Sequence, residues 1–246
     1  MNKYRLRYLH LNYSLFTLRY SLFTKPKGGD LVIYYFVRYC LKWLLWLIHR
    51  PKIYGKKENL KLEGGVIFIC NHQNLLDPVM LLITSPRIIH FMAKKELFDN
   101  KLFGAIMRSA FVFPVNRRTA DIKALKQALA LLEEGHAFGI FPEGTRSVTG
   151  DMDEFEKGCA FIAAKTSAPI VPIFISPSSY KFGRRLRLIV GDCIYAGEVK
   201  DALPEGVKLV DALNERMEKD MHALANELEK SLGKMPALPE KAGAGR

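Results

Sequence analysis

Acidic residues are almost missing from the first 57 positions, which hold 12 Lys or Arg against one acid, Asp30. The remaining positions hold 25 Lys or Arg against 24 acids, so the net charge of +12 belongs to the N-terminal stretch and not to the body of the chain. A basic appendage seeks a polyanion, either nucleic acid or an anionic membrane. Cysteine is also scarce. Cys40, Cys70, Cys159 and Cys193 lie far apart with no C-x-x-C pair. That pattern argues against a structural zinc site and reads as the reduced thiols of a cytosolic protein. No clean signal peptide is written, because Arg19 interrupts the early apolar part and no A-x-A site follows. YSLFT occurs at 13–17 and again at 20–24, but two copies are too few for a solenoid. Long uncharged runs are lacking too. The most apolar stretch, residues 31–50, is broken at Arg38 and Lys42, and a charge at the centre of a span costs roughly 2.5–3.5 kcal/mol.

That stretch reads as an amphipathic helix. At 100° per residue Arg38, Lys42 and His49 fall within about 40° of one another. They make a basic stripe on a cylinder otherwise rich in Phe36, Trp43, Trp46 and leucines. Lying in a membrane interface, such a helix keeps the stripe in water near lipid phosphate while the aromatics sink; a spanning helix and a helix packed on the domain are the alternatives. Its Leu, Ile, Trp and Tyr content argues against nucleic acid as the partner. The expected organisation is a leader and linker at 1–30, a membrane-associating helix with its connection at 31–57, one domain at 58–235 and a frayed tail at 236–246.

With 49% hydrophobic residues the domain can bury a sizeable core. Short apolar runs alternate with amphipathic stretches. Strands are expected at 66–70, 88–93, 110–115, 137–141, 170–175 and 186–191. Helices are expected from Pro78, then at 119–134, 158–166 and 209–232. This rhythm predicts an α/β fold with a mixed, largely parallel sheet flanked by helices. In such folds the chemistry gathers at loops beyond strand ends.

The first strand runs into Asn71-His72-Gln73-Asn74-Leu75-Leu76-Asp77-Pro78. A loop histidine just past a buried strand suits a general base. Asp77 can accept the imidazole's other N–H, the His–Asp half of the serine-protease arrangement, with the hydroxyl supplied by the substrate. A plainer reading exists for each: Asp before Pro is a helix N-cap, and His72 is a loop residue bonded to backbone. Other strand exits bring company. Phe141-Pro142-Glu143-Gly144-Thr145-Arg146-Ser147 offers a guanidinium fork suited to phosphate. Glu143 there either holds that fork or binds a substrate hydroxyl. Lys94-Lys95-Glu96 and Asn116-Arg117-Arg118 follow two more strands, or else are solvated surface charge. A parallel sheet gathers these exits on one rim.

These residues resemble the 1-acylglycerol-3-phosphate acyltransferase family, within the wider glycerolipid acyltransferases. NHQNLLDP matches its N-H-x-x-x-x-D block, FPVNR at 113–117 its second, FPEGTRS its third and IVPI at 170–173 its fourth. Ala93-Lys94 and Phe155-Glu156-Lys157-Gly158 also sit where the family places a lysine and a K-G pair. The likeness covers roughly residues 50–195. One departure concerns the second block, where Ala110 and Phe111 stand at positions that often carry glycine. It bears on the acceptor's identity more than on the chemistry.

The resemblance implies that His72 deprotonates the sn-2 hydroxyl of a 1-acylglycerol phosphate and that Asp77 orients His72. The acyl donor would be acyl-CoA or acyl-carrier protein. Arg146 and Arg117, helped by Lys94, would hold the phosphate, with Glu143, Gly144 and Thr145 completing the substrate site. Backbone N–H groups near Gly144 or Gly158 are candidates for the oxyanion. No metal or organic cofactor is called for. Expected partners are the lysophospholipid, the acyl thioester and an anionic membrane surface on the cytoplasmic face. The competing readings are a different acceptor, a non-catalytic membrane-binding module and a thioesterase.

Overall fold

The computed structural model describes residues 50–116, 121–147, 152–180 and 185–233, preceded by residues 32, 35, 36, 38–40, 43, 44, 47 and 48. The expected leader 1–30, Lys42, Trp46, His49, Arg117, Arg118 and the tail 236–246 lie outside the described residues.

The elements run β1 (Lys52–Gly55), β2 (Val66–Cys70), α1 (Asp77–Thr84), β3 (Ile89–Lys94), α2 (Lys101–Ser109), β4 (Val112–Val115), α3 (Ile122–Glu133), β5 (Ala137–Ile140), α4 (Gly158–Thr166), β6 (Ile170–Ile175), β7 (Arg187–Val190), α5 (Ala196–Asp201) and α6 (Leu209–Ser231). Short 3-10 turns lie at Lys57–Lys61, Lys95–Phe98 and Pro177–Tyr180. All seven strands form one sheet in the order β1-β7-β6-β2-β5-β3-β4. From β6 to β4 the neighbours are parallel. β7 runs antiparallel to β6, and β1 follows β7. The expected mixed, largely parallel sheet flanked by helices is the observed fold.

β2 is buried at every position, because both faces of a parallel sheet are covered and its strands need no polar side. Val66, Phe68 and Cys70 pack with Met80, Leu81 and Ile83 of α1 on one face. Ile67 and Ile69 face the other way, toward Leu131 of α3, Ile162 of α4 and Met217 and Met221 of α6. β4 ends the sheet and carries exposed Pro114, a residue that suits an edge. Because β2, β3, β4, β5 and β6 are parallel, their C-terminal ends share one rim.

Three elements go beyond the sequence reading. β1 extends the sheet from within the stretch assigned to the anchor's connection, pairing Lys52–Gly55 with β7. α2 forms between β3 and β4, and α5 precedes α6. The expected strand at 110–115 begins later, at Val112, because Ala110 caps α2 and Phe111 takes a left-handed φ of 60°.

The described residues of 32–48 are helical. Among the described residues no helix is long and apolar enough to cross a membrane. Arg38 departs from the expected water-facing stripe. Its guanidinium donates to the carbonyl oxygens of Ser85 and Pro86, where α1 ends. The reason is local: the last carbonyls of a helix lack intrahelical partners and carry partial negative charge.

Candidate active site

β2 delivers its chain to the rim, and Asn71 fixes where it goes. The buried Asn71 amide donates to Ile175 O at 3.0 Å, and its Oδ1 accepts the Ile175 N–H at 2.8 Å. This ties the end of β2 to the end of β6. The next residue is His72. Its Nδ1 lies 3.0 Å from Asp77 Oδ2, and the two side chains are 13% and 1% exposed. The same Oδ2 accepts the backbone N–H groups of Gln73 and Asn74, each at 2.7 Å. Oδ1 accepts the hydroxyl of Tyr180.

The N-cap reading of Asp77 is corrected here. Asp77 is the first residue of α1, its cap is Leu76, and the cap makes no side-chain hydrogen bond. The carboxylate points back into the loop because two loop N–H groups and the imidazole draw it there, while Pro78 sits in the first turn, where its missing N–H costs nothing.

β5 brings the second loop. Phe141 stacks under the imidazole with ring centroids 4.3 Å apart. Glu143 is buried, and its Oε1 accepts the His72 backbone N–H at 2.6 Å while Oε2 accepts the Asp153 N–H at 3.1 Å. Both oxygens are thus engaged by the protein itself. Burial is the main cause that pushes this carboxyl up to about 7, against the two N–H donors that pull it down. Gly144 takes φ 69°, and a Cβ there would lie 2.4 Å from Glu156 Oε1. Its N–H donates to Phe141 O, so it is spent inside the turn and does not serve as the guessed oxyanion donor. Thr145 is exposed, with its N–H on Glu143 O. The Ser147 N–H donates to His72 O at 2.9 Å, stitching the two loops together. Arg146, one residue earlier, is exposed and makes no ion pair with a described carboxylate.

Lys94 ends β3 on the same rim, half-exposed, 3.8 Å from Glu96. Arg117 lies outside the described residues, after β4. The structure therefore brings His72, Asp77, Glu143, Gly144, Thr145 and Arg146 together, with Lys94 two strands along. Tyr180 is the residue that sequence reasoning missed. It follows β6, another strand on this rim; the strand-exit rule points to that loop, but only the pairing of β6 with β2 brings Tyr180 to Asp77.

The buried thiols are poor nucleophiles. Burial pushes Cys159 up to about 12 and raises Cys70 well above its ordinary value. Among the described residues no group of three or more His, Cys, Asp or Glu is placed to hold a metal ion.

The chain matches the family model described as Acyltransferase over residues 52–176. It is 36% identical to the 1-acyl-sn-glycerol-3-phosphate acyltransferase of Bacillus subtilis, an alignment covering 75% of this chain and 95% of that protein. It is 28% identical to the protein of the same name from Streptococcus pneumoniae, over 78% of this chain and 74% of that one. Its fold is similar to that of the 1-acyl-sn-glycerophosphate (LPA) acyltransferase PlsC from Thermotoga maritima. That likeness has a TM-score of 0.60 and 23% identity, over 93% of this chain and 90% of that chain.

Proposed function

The chain belongs to the acyltransferase family, alongside the 1-acyl-sn-glycerol-3-phosphate acyltransferases, and we propose that it acylates the sn-2 hydroxyl of a 1-acylglycerol 3-phosphate with His72 as the base. The product is phosphatidic acid, a precursor of phospholipids. One observation carries the catalytic assignment: the His72 imidazole is held through Nδ1 by buried Asp77 on the rim that also presents Arg146.

With Nδ1–H donated to Asp77, Nε2 is the atom left to take a proton. His72 Nε2 removes the hydroxyl proton as the acceptor oxygen attacks the carbonyl carbon of the acyl thioester. The C–O bond forms, the tetrahedral intermediate collapses, and the C–S bond breaks. The leaving thiolate takes the proton back from the imidazolium. Positioned base catalysis of this kind contributes about 10²–10⁴ in rate, and holding two substrates together supplies much of the remainder. No acyl-enzyme is required. The raised thiols of Cys70 and Cys159 agree with that.

Arg146 binds the acceptor phosphate, and Lys94 and Arg117 add positive charge along the rim. Glu143 holds the His72 backbone in register, since both its oxygens are committed to N–H donors. The donor is acyl-CoA or acyl-carrier protein, and the chemistry routes through no metal or organic cofactor. The basic N-terminal stretch holds the enzyme peripherally on an anionic membrane at its cytoplasmic face, where the acceptor resides.

The test is purified full-length protein with labelled oleoyl-CoA and a panel of acceptors. Lysophosphatidate should be acylated in preference to glycerol 3-phosphate, lysophosphatidylcholine and monoacylglycerol. A preference for a phosphate-free acceptor, or release of free acid at full rate without acceptor, contradicts the reading.

A further inference from the structure

α2 is built inside out for a helix of a water-soluble domain. Its buried residue is Gly104, where an added Cβ would lie 2.9 Å from Phe98 O. The helix therefore seats its narrow glycine side on the Lys95–Phe98 turn. At 100° per residue, Leu102 and Ile106 point roughly opposite to Gly104. They are 75% and 54% exposed, with Phe103 at 45% beside them. Leu97, at 42%, extends the patch from the preceding turn. Burial of aliphatic surface is the main force that folds such helices, and here the largest aliphatic side chains of the element face out.

The surroundings say what covers them. Lys94, Lys95 and Lys101 are exposed along this turn and helix start, against Glu96, 3.8 Å from Lys94, and Asp99. Arg108 lies on the Gly104 side, over the Phe98 ring. The loop joining His72 to Asp77 adds Leu75 at 71% and Leu76 at 38% on the same rim of the sheet. α1 and α2 pack on the same sheet face, through Met80, Leu81 and Met107. The N-terminal helix reaches the end of α1 through Arg38. Its exposed Val32, Phe36, Trp43 and Leu47 project away from that arginine, hence away from the domain.

We propose that α2, with Leu97, Leu102, Phe103 and Ile106 and the flanking lysines, is a second membrane-inserting surface that seats the rim of the active site on anionic lipid. This deepens the reaction assigned above and rests on it. An apolar face bordered by lysines is the composition of an interfacial element, and each lysine near an anionic leaflet adds attraction. A lipid acceptor then reaches His72 without leaving the bilayer.

The test uses the full chain and two readouts. First, Trp43 and Trp46 are changed to Phe and Leu102 to Trp, and the protein is mixed with vesicles of phosphatidylcholine and phosphatidylglycerol. The Trp at position 102 should shift to the blue and be quenched by phospholipid brominated in its acyl chains. Vesicle binding with no shift and no quenching overturns the proposal, whatever the N-terminal helix does. A shift that grows with protein concentration in the absence of vesicles also overturns it, because a second copy then covers the face. Second, the Leu102→Asn/Ile106→Asn variant should bind these vesicles at least roughly tenfold more weakly, while acylating a short-chain, monomeric lysophosphatidate at the wild-type rate. Undiminished binding counts against the surface. Failure of the wild-type protein to acylate any lysophosphatidate is a different result, and it sinks the assigned reaction instead.

Discussion

Asp77 has both oxygens in use: Oδ2 takes the His72 ring and two backbone N–H groups, and Oδ1 takes the Tyr180 hydroxyl. Tyr180 meets His72 only through Asp77, so in the proposed reaction its part is to position the carboxylate. Burial, with Asp77 beside it, raises the Tyr180 phenol and keeps it a donor. Tyr180→Phe removes one donor from the carboxylate and leaves it freer to turn away from the His72 ring. The expected result is a kcat lower by about tenfold, the weight of one hydrogen bond to a charged group, with KM little changed. A tyrosine that only filled space would lower stability and leave kcat in place. Arg146 belongs to the same scale. Arg146→Ala should raise the acceptor KM by about tenfold to a hundredfold with kcat little changed, and Arg146→Lys should restore little, because a lysine cannot form the two-pronged contact. An unchanged KM in steady-state assays removes Arg146 from the phosphate site.

At the scale of elements, the aromatic layer beneath the histidine depends on one glycine. Gly139 of β5 pairs with Phe91 of β3, and a Cβ there would fall 2.2 Å from the Phe91 ring. Phe91 stacks on Phe141, and Phe141 on His72. Gly139→Ala should therefore cost about 1–3 kcal/mol by overpacking and also slow turnover by displacing the stack. A thermal midpoint equal to the wild type contradicts this packing account. β2, α4 and β6 were legible to the residue, because each is a compact apolar run with clear punctuation. β1 was not, since its four residues gain strand form only by pairing with β7, far along the chain. α2 had a readable start, with Asn100 accepting the Phe103 N–H at 3.0 Å. Its outward apolar face, however, depends on how Gly104 seats it. At the candidate site, the contact of His72 with Asp77 was legible from their spacing after a buried strand. Tyr180 was not, because its approach to Asp77 follows from β6 lying beside β2. Glu143 was legible as a neighbour of His72 on this rim, but its engagement with the His72 backbone was not.

Over the whole molecule, the two ends of the sheet do different work. The C-terminal rim carries the proposed site. Near the start of β3, His90 is 6% exposed against His136 and Phe111. Burial, then His136, lowers its pKa from 6.5 to about 3. The folded protein keeps His90 neutral where the unfolded chain would protonate it, so its contribution is complete above 6.5 and is lost as pH falls toward 3. Urea unfolding at pH 6.5 and 4.5 should show the wild type losing roughly 2–3 kcal/mol more than His90→Gln over that interval. Parallel losses contradict it. The other end is judged by turnover. With oleoyl-CoA and lysophosphatidate, folded His72→Ala protein, matched to the wild type by circular dichroism and thermal midpoint, should transfer acyl groups at least about 10²-fold more slowly. A variant that keeps its rate within a few-fold of the wild type contradicts the claim that this imidazole is the base.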